Sequence, residues 1–511
     1  MSACRARYPE GVDIDRLIAE ARRAAEPEPA GRALLDAVAE ETGGCPVALG
    51  EALERLRADD SRRGRGLWVT PLALAEAVVA ATPLDGVIVD PSCGAGVFLV
   101  AAARRLLAGG ATAESLGARL VGLDTDPLAV HAAGLALGAL GISAQLRCAD
   151  ATATPWAPEV HTVIGNPPWV DSEGMVRAGL ARAALAERLG LRGNWDLSAA
   201  FVALAASTLA PGGHLAFVLP NKIVAAPWGG SVRAVLRQGR VEVVEDHTQR
   251  GWFAASVQPI VLRWSKNTPR DHGVLEVGGE RSRMPLPERL TDPWPLRPVP
   301  DTRGCVALGT LARCTDGATV SEAYALRDAL RDGEPGPGDV RVANSGTIDP
   351  LTFLWGQRDL RYLGRRLARP VIDRQALPPR RREQAAAPKL IVASMTRVLE
   401  AAVDPYGSWY GAKSTVVVVP TAVPLPWLAV CLCAPTASEW YRAVWCGLAL
   451  QGGHLRVGSR QLEALPVPPW TGDEAALEAA AAALGQGVEA AARLGESLYV
   501  AARAGAGGAR W

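Results

Sequence analysis

Three short stretches of this chain place acidic, amide, glycine and proline residues where strand ends could hold and react a small ligand. The most specific is Thr162-Val-Ile-Gly-Asn166-Pro167-Pro168-Trp169. Two consecutive prolines after a β-branched run stiffen the backbone and keep its carbonyls out of a neighbouring ladder. The side-chain oxygen of Asn166 and the carbonyl of Pro167 can then both accept hydrogen bonds from one planar amino group. That arrangement drains positive charge as the nitrogen turns tetrahedral during attack on a methyl group. The ring of Trp169 offers a flat stacking face for whatever carries the amine. The plain structural alternative is a proline-rich turn capped by Asn166.

The second stretch, Asp90-Pro-Ser92-Cys-Gly94-Ala-Gly96-Val-Phe98, follows the apolar run Val87–Val89. In an open α/β sheet the loop leaving the carboxyl end of the first strand is where a nucleotide-like ligand lies. Gly94 and Gly96 permit a close backbone approach there. An acid at the strand end suits an ammonium or hydroxyl-rich ligand better than a pyrophosphate, which favours S-adenosylmethionine over a dinucleotide. A short Gly-x-Gly is equally compatible with a tight strand–helix turn. The third stretch, Leu120-Val-Gly-Leu-Asp124-Thr-Asp126-Pro127, ends in an acid able to accept from both ribose hydroxyls. Asp126 before Pro127 reads as a helix N-cap. Asp150 ends a further run and can meet an adenine amine, or serve as a surface turn aspartate.

The elements that must position these residues are legible as an alternation. Short runs at Gly86–Val89, Arg119–Leu123, Ser143–Arg147, Thr162–Ile164 and His214–Leu219 alternate with helical stretches at Ala75–Ala81, Val97–Leu107, Pro127–Leu140 and Leu197–Leu209. This predicts an α/β fold with a largely parallel sheet and helices on both faces. Val241–Glu245 and Gln258–Trp264 add two strands at an antiparallel end. Before residue 64 the spacing predicts a small helical leader. After Trp264 the alternation stops, and residues 265–303 read as Pro-, Gly- and Arg-rich connection. A second region follows, with strands at Lys389–Ala393 and Ser414–Val419 and a helix at Ala437–Leu450. Asp473–Arg503 reads as one alanine-rich helix.

Together these motifs resemble the gamma-class N6-adenine DNA methyltransferases of restriction–modification systems, over roughly residues 64–470. The resemblance rests on Gly66-Leu-Trp-Val-Thr70-Pro71, Asp90–Phe98, Asp124, Asp150, Asn166–Trp169, Gly193-Asn-Trp-Asp196-Leu197, Pro211-Gly-Gly213 and Leu219-Pro-Asn221. It implies a Rossmann-like methyltransferase domain and a C-terminal α+β target-recognition domain. The expected division is a leader at 1–63, a catalytic domain at 64–270, a DNA-binding domain at 271–472 and a C-terminal helix at 473–511. It further implies S-adenosylmethionine as cofactor, held by Thr70, Pro71, Asp90, Ser92, Gly94, Gly96, Asp124 and Asp150. Catalysis falls to Asn166, Pro167, Pro168 and Trp169, on an adenine rotated out of duplex DNA. A second aromatic packing on that base is assigned to Phe253, with Trp252 as its rival. Relatives commonly carry Tyr or Phe at the position of Trp169, so the indole here implies a wider pocket. Gln451-Gly-Gly-His454-Leu-Arg456 and Gln461–Pro468 resemble the closing segment of the recognition domain.

Composition sets the limits. The chain has 511 residues, 49% hydrophobic and 21% charged, with a net charge of +1, so a nucleic-acid partner must be met by local basic patches. One such stretch runs from Arg358 to Arg382, with nine arginines against two aspartates. It can neutralise phosphates, or form a solvated surface in an arginine-biased protein. Nine cysteines without Cys-x-x-Cys spacing point away from a disulfide framework or a zinc site and suit a reducing cytoplasm. No metal site, secretion signal or membrane span is expected. The leader shows no nuclease motif, so any cognate restriction endonuclease is expected to be a separate protein. The competing readings are the same chemistry on ribosomal RNA or a protein glutamine, and a DNA-binding subunit with a decayed catalytic site.

Overall fold

The computed structural model describes residues 14–23, 27–57, 69–226, 229–247, 259–287, 289–290, 292–445 and 454–505. The chain divides into two compact units, Met1–Leu296 and Arg297–Trp511.

The first unit is built on one nine-stranded sheet. Its strands are β1 (Ile88–Asp90), β2 (Leu120–Asp124), β3 (Gln145–Cys148), β4 (Val160–Gly165), β5 (Leu209–Pro220), β6 (Arg240–Asp246), β7 (Pro259–Ser265), β8 (His272–Val277) and β9 (Glu280–Pro285). They lie in the order β3-β2-β1-β4-β5-β7-β6-β8-β9. Strands β1 to β5 run parallel, and β7 is antiparallel to both β5 and β6. The β1–β4 boundary is the topological switch point, because the chain builds outward on one side of β1 and then returns to its other side. Register aligns the functional ends: Asp90 pairs with Gly122 and Asp124 with Cys148 across neighbouring strands.

Strands β1 to β7 coincide with the runs read from the sequence, most of them apolar stretches near glycine or proline breaks, although β5 starts at Leu209, ahead of its run His214–Leu219. The hairpin β8–β9 is a correction, since the alternation does not end at Trp264. Its two strands, HGVLEV and ERSRMP, show no sustained apolar alternation, and only Met284 and Leu275 are fully buried among the large apolar residues, so periodicity gave no strand signal. The hairpin also extends the first unit to Leu296, past the expected boundary at residue 270.

The described residues of the leader form the helices α1 (Ile14–Arg23), α2 (Pro27–Thr42) and α3 (Pro46–Leu56). They are followed by α4 (Leu72–Ala80), α5 (Val97–Ala108), α6 (Pro127–Gly138) and α7 (Leu197–Thr208). Leu34, Leu35, Val38, Leu49 and Leu53 of the leader share one core with Ala129, Ala132, Ala133 and Ala136 of α6. The alanine face of α6 is what permits the close approach. At Gly44, which adopts φ +69, an added Cβ would stand 2.5 Å from the Ala139 side chain.

The second unit carries two four-stranded sheets. One is antiparallel, with Ala312–Asp316, Thr415–Pro420, Lys389–Ala393 and Ala401–Asp404 in that order. The other is mixed, with Arg331–Asp332, Pro370–Asp373, Asp339–Ala343 and Trp409–Gly411. Helices Leu425–Cys433 and Pro435–Trp445 pack on the first sheet. A fully buried ion pair, Lys389 with Asp404, ties two of its strands. The expected single tail helix is corrected to two, Glu474–Gln486 and Val488–Gly505. Gly487, at φ +103 and ψ −172, takes a conformation no helix accommodates.

Candidate functional site

A cavity of about 630 Å³ opens at the carboxyl ends of β1, β2, β3 and β4. Of the residues singled out by the sequence, Thr70, Asp90, Ser92, Gly94, Asp124, Asp150, Asn166 and Pro168 line it. Pro71, Gly96, Pro167 and Trp169 are not on its wall. Phe253 and Trp252 lie outside the described residues, as do Gly66–Trp68 and Gln451–Gly453.

Asp90 ends β1 and is fully buried. Its Oδ1 accepts from the Ser92 backbone N–H at 3.1 Å, while Oδ2 has no partner among the described residues. Burial, reinforced by the charge of Asp124, pushes this carboxyl up to about 8. The neighbouring strand makes room for it with Gly165. A Cβ there would stand 2.6 Å from Asp90 Oδ1, and its φ of +147 is one L side chains rarely adopt.

Asp124 is held by backbone on both oxygens. Gly94 N–H donates to Oδ2 at 3.0 Å and Asp126 N–H donates to Oδ1 at 3.1 Å. Burial raises its pKa, opposed by the Gly94 N–H and by the positive charge of Arg57. Each carboxylate oxygen keeps a second acceptor site. Asp126 caps α6 through Leu128 N–H at 2.8 Å, as its position before Pro127 predicted. Asp150 Oδ1 accepts from both the N–H and the hydroxyl of Thr152, at 2.8 and 2.7 Å.

The two glycines of the β1–α5 loop differ. Gly94, at φ +52, borders the cavity, and an added Cβ would meet nothing within 4 Å. Its requirement is conformational. At Gly96, φ +81, an added Cβ would stand 3.1 Å from the Ala133 side chain of α6, so helix packing also leaves no room there for a side chain.

Asn166 follows directly on Gly165. Its Nδ2 donates to the hydroxyl of Thr70 at 3.1 Å, and its Oδ1 is buried with no hydrogen-bond partner among the described residues. A buried acceptor left unmade costs free energy, so it marks a place where a donor is meant to arrive. Ser92 Oγ reaches the Asn166 carbonyl at 3.4 Å and links the two loops. Trp169 is half-buried against the core around β1. Asp196 caps α7 through Ser198 and Ala199, and burial raises its carboxyl to about 6. Leu197 N–H donates to the Val170 carbonyl at 2.8 Å, fastening α7 to the segment after Trp169. Val170, Leu197 and Phe201 complete that side of the cavity.

Sequence reasoning missed one wall. Pro46, Gly50, Leu53, Glu54 and Arg57, from α3 and the residue after it, also line the cavity. Helical periodicity revealed a buried face on this leader but not which neighbour it meets. Arg57 pairs with Asp126 and adds positive charge beside Asp124.

This donor set has a definite chemical preference. Three carboxylates and an unmet amide oxygen suit a ligand bearing an amine, hydroxyls and a positive charge. They repel a pyrophosphate. The cavity falls within the usual range for a cofactor, and the residues present therefore fit S-adenosylmethionine.

Comparison with known proteins agrees with this geometry. Residues 49–282 match the N-6 DNA Methylase family. A Type II methyltransferase, M.BanIII of Aneurinibacillus aneurinilyticus, is 29% identical over 196 residues, which is 35% of this chain. The matched segment spans only about a third of that relative, 32% of its length. Among solved structures, the Type IIL restriction-modification enzyme MmeI in complex with DNA is similar in fold, with a TM-score of 0.60. It is 14% identical and the match covers 91% of this chain and 80% of MmeI. The segment 49–282, which contains β1 to β8 and all of the described cavity lining except Pro46, is the part of the chain that is similar to the N-6 DNA Methylase family.

Proposed function

We propose that this protein is the site-specific modification enzyme of a restriction–modification system, transferring a methyl group from S-adenosylmethionine to N6 of an adenine rotated out of duplex DNA. The observation that carries this reading is Asn166 at the end of β4. Its Oδ1 is buried and unmet while its Nδ2 is anchored on Thr70, beside a cavity lined by Asp90, Asp124 and Asp150. The gamma-class motif order and the assignment of catalysis to Asn166, Pro167, Pro168 and Trp169 belong to the same proposal. The second unit is then the target-recognition domain, and duplex DNA is its partner.

When bound, the cofactor supplies an electrophilic methyl group on a sulfonium. Asp90 would hold its amino group, Asp124 its ribose hydroxyls and Asp150 the adenine amine, with α3 forming a further wall of the pocket. Asn166 Oδ1 and the Pro167 carbonyl accept from the two N–H groups of the target N6, which concentrates the nitrogen lone pair away from the ring. The amine is neutral, so no strong base is required, and the surplus proton leaves after transfer. Catalysis on this scheme is positioning plus stabilisation of developing positive charge. Extrusion of the base is required because the duplex shields N6.

The test is expression in a host lacking adenine methylation, with N6-methyladenine mapped across the genome and Asn166→Ala as control. Methylation confined to one short motif, and absent with the variant, is expected. Methylation that persists with Asn166→Ala removes the catalytic assignment. A protein that binds S-adenosylmethionine but leaves no methyladenine removes the DNA substrate.

A further inference from the structure

We infer that the hairpin Leu360–Tyr362/Arg365–Leu367 of the second unit is a phosphate grip for duplex DNA, made by Arg361 and Arg366. The inference rests on the reading of duplex DNA as substrate.

The nine arginines between Arg358 and Arg382 are indistinguishable in sequence, and the structure sorts them. Arg381 is buried, donating to Glu322 and to the Asp316 carbonyl. Arg374 donates to the Gly407 carbonyl, and Arg382 to those of Gln375 and Leu377. Arg365 is spent on the Arg327 carbonyl, Arg358 on that of Gly346, and Arg369 on Glu334. The guanidinium groups of Arg361, Arg366 and Arg380 have no hydrogen-bond or ion-pair partner among the described residues, and all three are exposed. Arg380 stands alone in the first turn of helix Pro379–Ala386.

Arg361 and Arg366 do not stand alone. They are direct cross-strand partners, so both side chains leave the same face of the hairpin. Like charges placed opposite each other cost stability unless an anion sits between or beside them. The scaffold is nevertheless rigid. The turn runs through Leu363 and Gly364, both at positive φ, 46 and 84, the geometry of a tight two-residue hairpin. Leu360, Tyr362 and Leu367 bury the opposite face in a core of their own. Tyr362 donates its hydroxyl to the Ala323 carbonyl at 3.0 Å, and Asn344 Nδ2 donates to the Arg361 carbonyl at 3.1 Å. Two unspent guanidinium groups are thus held side by side on an immobilised strand pair. Guanidinium donors in that setting match the oxygens of a phosphodiester backbone. Such contacts hold the duplex in register without reading sequence.

The experiment measures binding of two unrelated 30-base-pair duplexes by fluorescence anisotropy over a salt series, with the full chain. Arg361→Ala/Arg366→Ala is compared with wild type, with Arg361→Lys/Arg366→Lys, and with Arg493→Ala as an exposed control on a helix. Each lost phosphate contact removes about 0.9 from the slope of log affinity against log salt. The double alanine variant is expected to lose nearly two units of slope, and about tenfold or more in affinity at 0.1 M salt. The loss is expected to be equal for both duplexes and restored by the lysine variant, while the control is unchanged. An unchanged slope in the double alanine variant, with wild type binding DNA, overturns the grip and leaves the methyltransferase reading standing. So does a loss confined to one duplex, which would make these residues base readers. Wild type that binds single-stranded RNA but neither duplex overturns the grip together with the DNA reading.

Discussion

At the scale of single residues, the site is organised around charges that burial disfavours. Asp90 is the extreme, with its carboxyl pushed up to about 8. Its unfolded-state value lies near 4, so between about pH 4 and 8 the folded protein holds a proton that the unfolded chain has released. Stability from this group therefore falls as pH rises through that window and is level above it. Asp90→Asn is expected to stabilise the ligand-free protein at pH 8 relative to pH 5, as thermal melts at the two values would show. Binding works in the opposite direction. A ligand ammonium favours the ionised carboxyl, so S-adenosylmethionine should release close to one proton at pH 7. Calorimetry in buffers of different ionisation enthalpy counts that proton, and Asp90→Asn should abolish it together with most of the affinity. A wild-type protein that binds without proton release would show that Asp90 does not meet the amine. Thr70 makes a separate test. Thr70→Val deprives Asn166 Nδ2 of its acceptor, at a cost of about 1 kcal/mol, or several-fold in kcat. Its effect on cofactor affinity should be smaller than its effect on turnover if its main role is to aim the amide.

Elements impose their own constraints, and glycine positions display them most directly. Gly165 closes β4 against the Asp90 carboxyl, so Gly165→Ala meets both a steric block at 2.6 Å and an unfavourable backbone conformation. Gly94 has the conformational requirement alone, with open space around it. Gly94→Ala is expected to cost about 1–2 kcal/mol, and Gly165→Ala clearly more, in denaturant melts of the two variants. Equal losses would mean that the Asp90 side chain yields freely to the added methyl. These same punctuation marks explain why so much of the sheet could be read from sequence. β1, β2 and β4 are apolar runs that stop at Asp90, Asp124 and Gly165; Asp90 and Asp124 line the cavity, as does Asn166 directly after Gly165. What escaped reading lacked such marks. In hairpin β8–β9 the short apolar run of β8 is followed by a polar β9, and the tail helix breaks at one glycine in an alanine-rich stretch that otherwise satisfies helical spacing. The cavity wall made by α3 was hidden for a different reason. Leu49 and Leu53 show only that the helix has an apolar face, whereas its partners, the alanines of α6, are more than seventy residues away in sequence. Likewise the Arg358–Arg382 stretch could be counted but not sorted, because which guanidinium groups are already bonded depends on carbonyls far along the chain.

At the scale of the whole molecule, charge separates two kinds of recognition. With 54 basic and 53 acidic residues, the chain has no net field to draw DNA in, and attraction must come from local groups such as the Arg361–Arg366 pair. The cofactor site has the opposite character, carboxylates within a largely buried pocket of the first unit. The two ligands should therefore leave distinct imprints on backbone hydrogen exchange. S-adenosylmethionine at a hundred times its Kd adds about 2.7 kcal/mol to the stability of the state that binds it. The protection it gives is expected at the loop Ser92–Gly96, at the end of β4, and along α3, whose Leu53 and Glu54 line the cavity. It should leave the hairpin Leu360–Leu367 unchanged. Duplex DNA should protect that hairpin in wild type and not in Arg361→Ala/Arg366→Ala. Absence of cofactor-induced protection in α3 would reduce the leader to a packing element on α6. Its presence would make the leader part of the active site, so that truncation before residue 46 should spare the cavity wall while truncation through residue 57 should abolish cofactor binding.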